Sequence, residues 1–330
     1  MSERPRVFVS RVVDFDLLAS LEQVAEVRHN AADQALPRAA LLEAVRDADA
    51  LLCGPDRVDA ALLAAAPSLR MVANCSVGYD NIDLAACTAR GVWASNTPGV
   101  LTETTADMAF ALLLAAARQL GPARDAARDG AWREFYYRGW LGRDLHGATL
   151  GIAGLGRIGT AIARRAHGFG MRILYHNRTP NVAAEAETGA CWVSKDALLR
   201  TSDFLVLVMP LSPSTRGFIG AAELEAMKRD AVLVNIARGP VVDTASLTAA
   251  LQARRIFGAA LDVTDPEPLP ADHPLYRLDN CFIAPHLGSA TLRTRREMFR
   301  MAIDNIRAAL RDELPPNCLN PDARRVGGGA

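Results

Sequence analysis

The strongest constraint on this chain is its rhythm. Short apolar runs alternate with helix-length amphipathic segments, and the series occurs twice. In the first hundred residues, runs at 6–10, 50–53, 70–74 and 92–95 read as strands, with helical segments such as 37–46 and 58–65 between them. The rhythm restarts with strand-like runs at 149–153, 172–175, 204–209, 232–236, 258–262 and 281–284, and helices at 158–168, 221–227 and 244–254. Strands separated by helices of about ten residues imply βαβ units and parallel sheets. Two series imply two α/β domains, each doubly wound. A long helical segment closes each series, 102–118 and 290–311, and both are read as crossing between domains. The second domain, 102–289, is therefore expected as an insertion into a first domain formed by 1–101 and 290–330.

Composition narrows the function. The chain has 330 residues, half of them hydrophobic, with 37 basic and 37 acidic side chains. That suits a large core and gives no overall field to attract nucleic acid or an anionic membrane. No apolar stretch reaches the roughly 18 residues of a membrane span. Residues 1–6 lack the apolar run of a signal peptide, and the six cysteines lack CxxC spacing, so a cytoplasmic protein with reduced thiols is expected. The tail at 327–330 reads as frayed. The segment 121–146 is polar and aromatic, with Trp132, Phe135, Tyr136, Tyr137 and Trp140. It reads as a loop packing its own rings, or as a dimer arm or lid.

The sharpest motif opens the second series. Residues 149–159 run Thr-Leu-Gly-Ile-Ala-Gly154-Leu-Gly156-Arg157-Ile158-Gly159, a strand ending in Gly-x-Gly-x-x-Gly and entering a helix. The first glycine permits the turn, the second lets backbone approach a pyrophosphate, and the third lets helix pack on strand. Exposed N–H groups and the helix dipole then favour phosphate. Alone the motif can be a mere tight turn. Here strand, helix and second strand all fall where a Rossmann dinucleotide-binding domain needs them.

The end of the second strand selects the cofactor. An NAD site places an acid there to hold the ribose hydroxyls. This chain has Asn177, Arg178 and Thr179 instead. A guanidinium can fork onto a 2′-phosphate, with Thr179 adding a hydroxyl. NADPH is the expected cofactor, with NADH used less efficiently.

Three polar residues fall just past presumed strand ends: Arg238, Glu267 and His286. Ligands of open α/β sheets bind at that edge. Each alone could be a capped turn, a solvated acid or a loop histidine. Together, beside a dinucleotide motif, they suit carbonyl reduction. His286 would give the proton, Glu267 would orient the imidazole, and Arg238 would hold the substrate's carboxylate and carbonyl oxygen. No metal is required by this chemistry.

At these residues the sequence resembles the D-isomer-specific 2-hydroxyacid dehydrogenase family. The resemblance runs from about Leu69 to Pro321. It is carried by Ser76-Val-Gly-Tyr-Asp-Asn-Ile-Asp83, Asn96-Thr-Pro-Gly-Val-Leu-Thr-Glu-Thr-Thr-Ala-Asp107, Gly154 to Gly159, Asn235-Ile-Ala-Arg238-Gly-Pro240, Leu261-Asp262 and Pro285-His286-Leu-Gly-Ser-Ala-Thr291. Within the family it is most like the glyoxylate/hydroxypyruvate reductases, including their 2-ketogluconate reductase relatives. The resemblance implies a flavodoxin-like substrate domain carrying the inserted Rossmann domain, and a catalytic trio matching Arg238, Glu267 and His286. It implies cofactor contacts from Thr105, Pro210, Thr215, Ile236, Ala237, Asp262 and Gly288, with Asp262 on the carboxamide side. Backbone amides at Val77 and Gly78 would meet the substrate carboxylate. A homodimer is implied, with Trp140 of the partner subunit reaching the substrate.

Two alternatives stay open. One is the same chemistry on phosphoglycerate, formate, phosphite or a larger 2-keto acid. The other is a dinucleotide-sensing binding protein of the same fold, which can keep the trio.

Overall fold

The structure, a computed structural model, describes residues 4–32 and 34–323. The tail at 327–330 lies outside them. The chain divides into two compact units, Met1–Leu101 with Thr291–Ala330, and Thr102–Ala290.

The first unit holds a parallel five-stranded sheet of β1 (Arg6–Val9), β2 (Glu26–His29), β3 (Ala50–Cys53), β4 (Met71–Asn74) and β5 (Trp93–Ser95), in the order β2-β1-β3-β4-β5. That is the flavodoxin-like order. Helices cover both faces. Leu51, Val72 and Ala94 join one apolar layer, and Ala50, Leu52, Met71 and Ala73 join the other. Burial on both sides explains why β3 and β4 are continuous apolar runs rather than alternating ones. The long helix Leu292–Leu310 packs on β3 and β4.

The second unit holds a parallel seven-stranded sheet of β6 (Thr149–Ala153), β7 (Arg172–His176), β8 (Cys191–Trp192), β9 (Phe204–Leu207), β10 (Val232–Asn235), β11 (Gly258–Leu261) and β12 (Cys281–Ile283), in the order β12-β11-β10-β9-β6-β7-β8. Successive residues of β9 and β10 alternate between two apolar layers. Phe204, Val206, Val232 and Val234 face one, while Leu205, Leu207 and Leu233 face the other. The chain order reverses between β6 and β9, the switch point at which such sheets bind ligands.

Three features differ from the sequence expectations. The edge strands β2 and β8 were not anticipated. Glu26-Val27-Arg28-His29 is largely polar and outward-facing, and β8 has only two residues, so neither carries an apolar run. Within the segment read as a loop, Leu120–Arg128 is a helix, with Gly121 and Pro122 confined to its first turn, where proline costs no hydrogen bond. Residues 131–146 beyond it are largely irregular. The long helices do not themselves cross between units: Thr102–Ala117 lies wholly in the second and Leu292–Leu310 wholly in the first. The chain passes over just before each.

Among the described residues no helix is long and apolar enough to cross a membrane, and no group of three or more His, Cys, Asp or Glu side chains could hold a metal ion. The six thiols are unpaired.

Candidate active site

In the second unit the glycine motif forms a turn in which each glycine is required for a different reason. Gly154 has φ 107°, and a Cβ there would lie 2.9 Å from the Met209 nitrogen beside β9. A Cβ on Gly159 would sit 2.2 Å from the Gly154 carbonyl oxygen, so the helix Arg157–Gly168 could not pack so closely. Around Gly156 the space within 4 Å of a Cβ position is open. That is the cradle a pyrophosphate needs, because the N–H groups of Gly156, Arg157 and Ile158 open a twelve-residue helix with no side-chain cap.

The turn after β7 is held at both ends. Asn177 Oδ1 accepts from the Leu155 N–H at 2.7 Å, so its side chain is turned to the glycine loop. At the far end the Asn181 N–H donates to the buried Tyr175 hydroxyl at 2.7 Å, and Asn181 Nδ2 donates to the Leu155 carbonyl at 2.8 Å. Between them Arg178 and Thr179 are exposed, and among the described residues neither side chain has a partner. Past β9, the Thr215 hydroxyl donates to the Pro210 carbonyl and accepts from the Ser212 N–H, both at 2.8 Å, closing the 210–215 loop.

Arg238, Glu267 and His286 lie beyond the carboxyl ends of three adjacent strands, β10, β11 and β12. Asn235 shapes the first of these turns. Its Oδ1 accepts from the Ala237 N–H at 3.0 Å and its Nδ2 donates to the Arg238 carbonyl at 2.9 Å, which fixes Ile236, Ala237 and Arg238 in a tight bend. Gly239 then lies directly against Thr264, where a Cβ would fall 1.8 Å from the carbonyl oxygen. That contact joins the Arg238 turn to the segment carrying Glu267. Glu267 Oε2 accepts from the Thr264 N–H at 3.2 Å, and its Oε1 lies 2.6 Å from His286 Nδ1. Burial pushes the Glu267 carboxyl up. The His286 hydrogen bond and charge, the Thr264 N–H and the Arg238 charge together outweigh it and hold the group below its ordinary 4.5. The other ring nitrogen of His286, Nε2, has no partner among the described residues.

His286 adopts a left-handed conformation, φ 55°, which a non-glycine residue keeps only when neighbours impose it. Asp262 imposes it. Its carboxylate, in a residue only 2% exposed, accepts from the Leu287 N–H at 2.6 Å and the Gly288 N–H at 2.8 Å, while its carbonyl accepts from the His286 N–H at 2.9 Å. Burial leaves the Asp262 carboxyl above its ordinary value despite these donors. From the helix Thr102–Ala117, the Thr105 hydroxyl donates to the Gly288 carbonyl at 3.0 Å. Asp262 and Thr105 thus clamp the turn that aims the imidazole.

The first unit presents a different device past β4. The carbonyls of Ser76, Val77 and Gly78 accept from the Thr97 N–H (3.0 Å), Asn96 Nδ2 (2.8 Å) and Asn74 Nδ2 (2.8 Å) respectively. In a trans peptide the N–H points opposite to the C=O. The N–H groups of Val77, Gly78 and Tyr79 therefore point away from those donors, and among the described residues they donate to nothing. Three consecutive N–H groups without an acceptor among the described residues form a backbone nest of the kind that can take an anion. Sequence reasoning named Val77 and Gly78 but not Asn74 or Asn96; an asparagine ending the apolar run of β4 was the available signal.

Trp140 stands apart. Its ring lies edge-on to Tyr136 at 5.9 Å, within an arm that exposes Trp132, Phe135 and Tyr137. Among the described residues of its own unit, no hydrogen bond, ion pair or ring contact joins it to the other site residues.

A parallel sheet with a Gly-x-Gly-x-x-Gly turn at its switch point, and a carboxylate–imidazole pair with an arginine along the same edge, fits an NAD(P)-dependent oxidoreductase, and the comparisons with known proteins show that class. The profile described as "D-isomer specific 2-hydroxyacid dehydrogenase, NAD binding domain" matches residues 110–288. A glyoxylate reductase of Korarchaeum cryptofilum is 47% identical over 326 residues, covering 98% of both chains. Among solved structures, a Thermus thermophilus protein superposes with a TM-score of 0.89 at 45% identity, covering 95% of this chain and 99% of the other. An NADPH-dependent glyoxylate/hydroxypyruvate reductase of Sinorhizobium meliloti, solved with NADP and malonate, gives 0.83 at 34%, covering 98% and 99%. The chain belongs to the D-isomer-specific 2-hydroxyacid dehydrogenase family, whose substrates are small 2-keto and 2-hydroxy acids.

Proposed function

We propose that this protein reduces glyoxylate and hydroxypyruvate to D-2-hydroxy acids with NADPH, and takes 2-ketogluconate as a larger substrate of the same class. The observation that carries the chemistry is the His286 imidazole, held by Glu267 through Nδ1 at 2.6 Å with Nε2 left open. The residues fit a nicotinamide dinucleotide. The open cradle at Gly156 and the N–H groups of Gly156, Arg157 and Ile158 suit its pyrophosphate, and Arg178 and Thr179 suit a 2′-phosphate. When bound, the reduced cofactor supplies the hydride that reaches the carbonyl carbon.

The chain does the rest. His286 Nε2–H donates its proton to the carbonyl oxygen, so the carbonyl π bond is replaced by new C–H and O–H bonds while the C–O single bond remains. Glu267 orients the ring through Nδ1. Arg238 holds the carboxylate and the oxygen on which charge develops. In the first unit, the N–H groups of Val77, Gly78 and Tyr79 suit a carboxylate. Thr105, Pro210, Thr215, Ile236, Ala237, Asp262 and Gly288 surround the nicotinamide and the adjoining phosphates. The exposed aromatic arm suits cover by a second copy in a homodimer, bringing the partner's Trp140 to the substrate.

Loss of NADPH and NADH absorbance, measured with glyoxylate, hydroxypyruvate and 2-ketogluconate, tests this reading. NADPH should give the higher kcat/KM, and Arg178→Asp should reverse or erase the preference. Equal or NADH-favoured values would remove the 2′-phosphate assignment. Tight cofactor binding without turnover of any 2-keto acid would favour a dinucleotide sensor.

A further inference from the structure

The turn proposed to read the 2′-phosphate is held from a side the glycine motif does not explain. The edge strand β8 pairs with β7 in register, Leu174 with Cys191 and Tyr175 with Trp192. The chain stays tied to β7 beyond the strand. The Val193 N–H donates to the Tyr175 carbonyl at 2.9 Å, and the Val193 carbonyl lies 2.9 Å from His176 Nδ1. This anchoring delivers the Trp192 indole to the turn. Its Nε1–H donates to the Asn177 carbonyl at 3.0 Å. That carbonyl belongs to the peptide joining Asn177 to Arg178, so the indole fixes the plane from which Arg178 departs.

Trp192 is 41% exposed and lies on a two-residue strand. A ring so open adds little to the core, so its directed hydrogen bond is its distinctive contribution. The turn is gripped at its start by Trp192, at its end by Tyr175, and inside by the Asn177 link to Leu155. Within this frame the guanidinium of Arg178 and the hydroxyl of Thr179 remain unengaged. An arginine side chain loses much rotamer entropy on ordering, so fixing the backbone beneath it lowers the cost of capturing a phosphate.

We propose that Trp192 is a specificity-positioning residue: by holding the Asn177 carbonyl it pre-sets Arg178 for the 2′-phosphate of the cofactor. This rests on the reading of Arg178 given above, and the test separates the two. Titration calorimetry with adenosine 2′,5′-bisphosphate and with 5′-AMP reads the subsite directly, without turnover. Wild type should bind the bisphosphate more tightly. Trp192→Phe keeps an aromatic ring but has no donor. It should lower the affinity ratio by about three- to tenfold, the value of one hydrogen bond, through the bisphosphate alone. In kinetics the same loss should appear in KM for NADPH, with kcat retained.

An unchanged ratio in Trp192→Phe, with wild type still discriminating, would overturn the proposal and leave the Arg178 reading intact. Equal weakening of both ligands would overturn it too, since that signals general loosening. A wild type that does not distinguish the two ligands would overturn the Arg178 reading and this inference with it.

Discussion

Each unit carries its polar groups past the carboxyl edge of a parallel sheet, and the two edges are equipped in opposite ways. Past β4 the donors are backbone N–H groups, aimed by the side chains of Asn74 and Asn96, neutral amides that do not titrate. Past β10, β11 and β12 the working groups are a guanidinium, a carboxylate and an imidazole, aimed by a further carboxylate, Asp262. A backbone nest can hold charge at any pH but cannot deliver a proton. The side-chain edge can deliver one, and in return it depends on pH. On the function proposed above, the difference implies a division of labour. Damage to the first edge should appear in substrate KM without altering the pH profile, and damage to the second should appear in kcat and change it.

The largest effect should come from the proton donor. His286→Ala should lower kcat by about two to four orders of magnitude, the usual worth of general acid catalysis, while calorimetric NADPH affinity changes little. Retained turnover would remove His286 from the mechanism. The Glu267 partner sets the acid limit. Because its folded pKa lies below its ordinary 4.5, the stability contributed by the ionised Glu267 carboxylate is present above that value and is lost as pH falls through the folded pKa. Thermal unfolding followed from pH 7 downward should therefore show a falling contribution only below about 4.5, absent in Glu267→Gln.

An intermediate effect should come from Asp262. Asparagine can accept from one of the two N–H groups but presents its own N–H₂ to the other, so the left-handed His286 turn loses half its clamp. Asp262→Asn should lower kcat by about ten- to a hundredfold, as expected for a hydrogen bond to a charged group. Stability should fall less than the lost bond alone suggests. The Asp262 pKa is raised, so its ionised form is disfavoured in the fold at neutral pH, and substitution removes that burden. A variant with wild-type kcat would show that the turn holds without the carboxylate.

Arg238, Glu267 and His286 stood out in the sequence for a positional reason, since charged or titratable side chains just past apolar strands have few structural uses, whereas Asp262 was named only through the family resemblance. The apolar rhythm showed most of the central strands because both faces of each sheet are buried. It failed at β2, whose edge position lets Glu26, Arg28 and His29 face outward, and at β8, too short to show a pattern. With β8 went the role of Trp192, since an indole donating to a carbonyl fifteen residues back depends on strand pairing alone. Asn177 marks another limit. Its place in the sequence suggested the ribose, whereas its side-chain oxygen takes the Leu155 N–H, a contact set by how the glycine loop closes.

The smallest effect sharpens the contrast most. Asn96→Ala removes the donor to the Val77 carbonyl while leaving the donors to Ser76 and Gly78 in place. The peptide between Val77 and Gly78 is then free to rotate, and one of the three nest donors is no longer pre-aimed. Substrate KM should rise by about three- to tenfold, the worth of one neutral hydrogen bond. Because no proton is gained or lost at this edge, the factor should be constant from pH 5 to 8, about the range in which imidazoles titrate. A KM effect that grows or vanishes across that range would mean that this edge is not pH-blind, and the division between a pH-blind anchor and a pH-sensitive proton donor would fail.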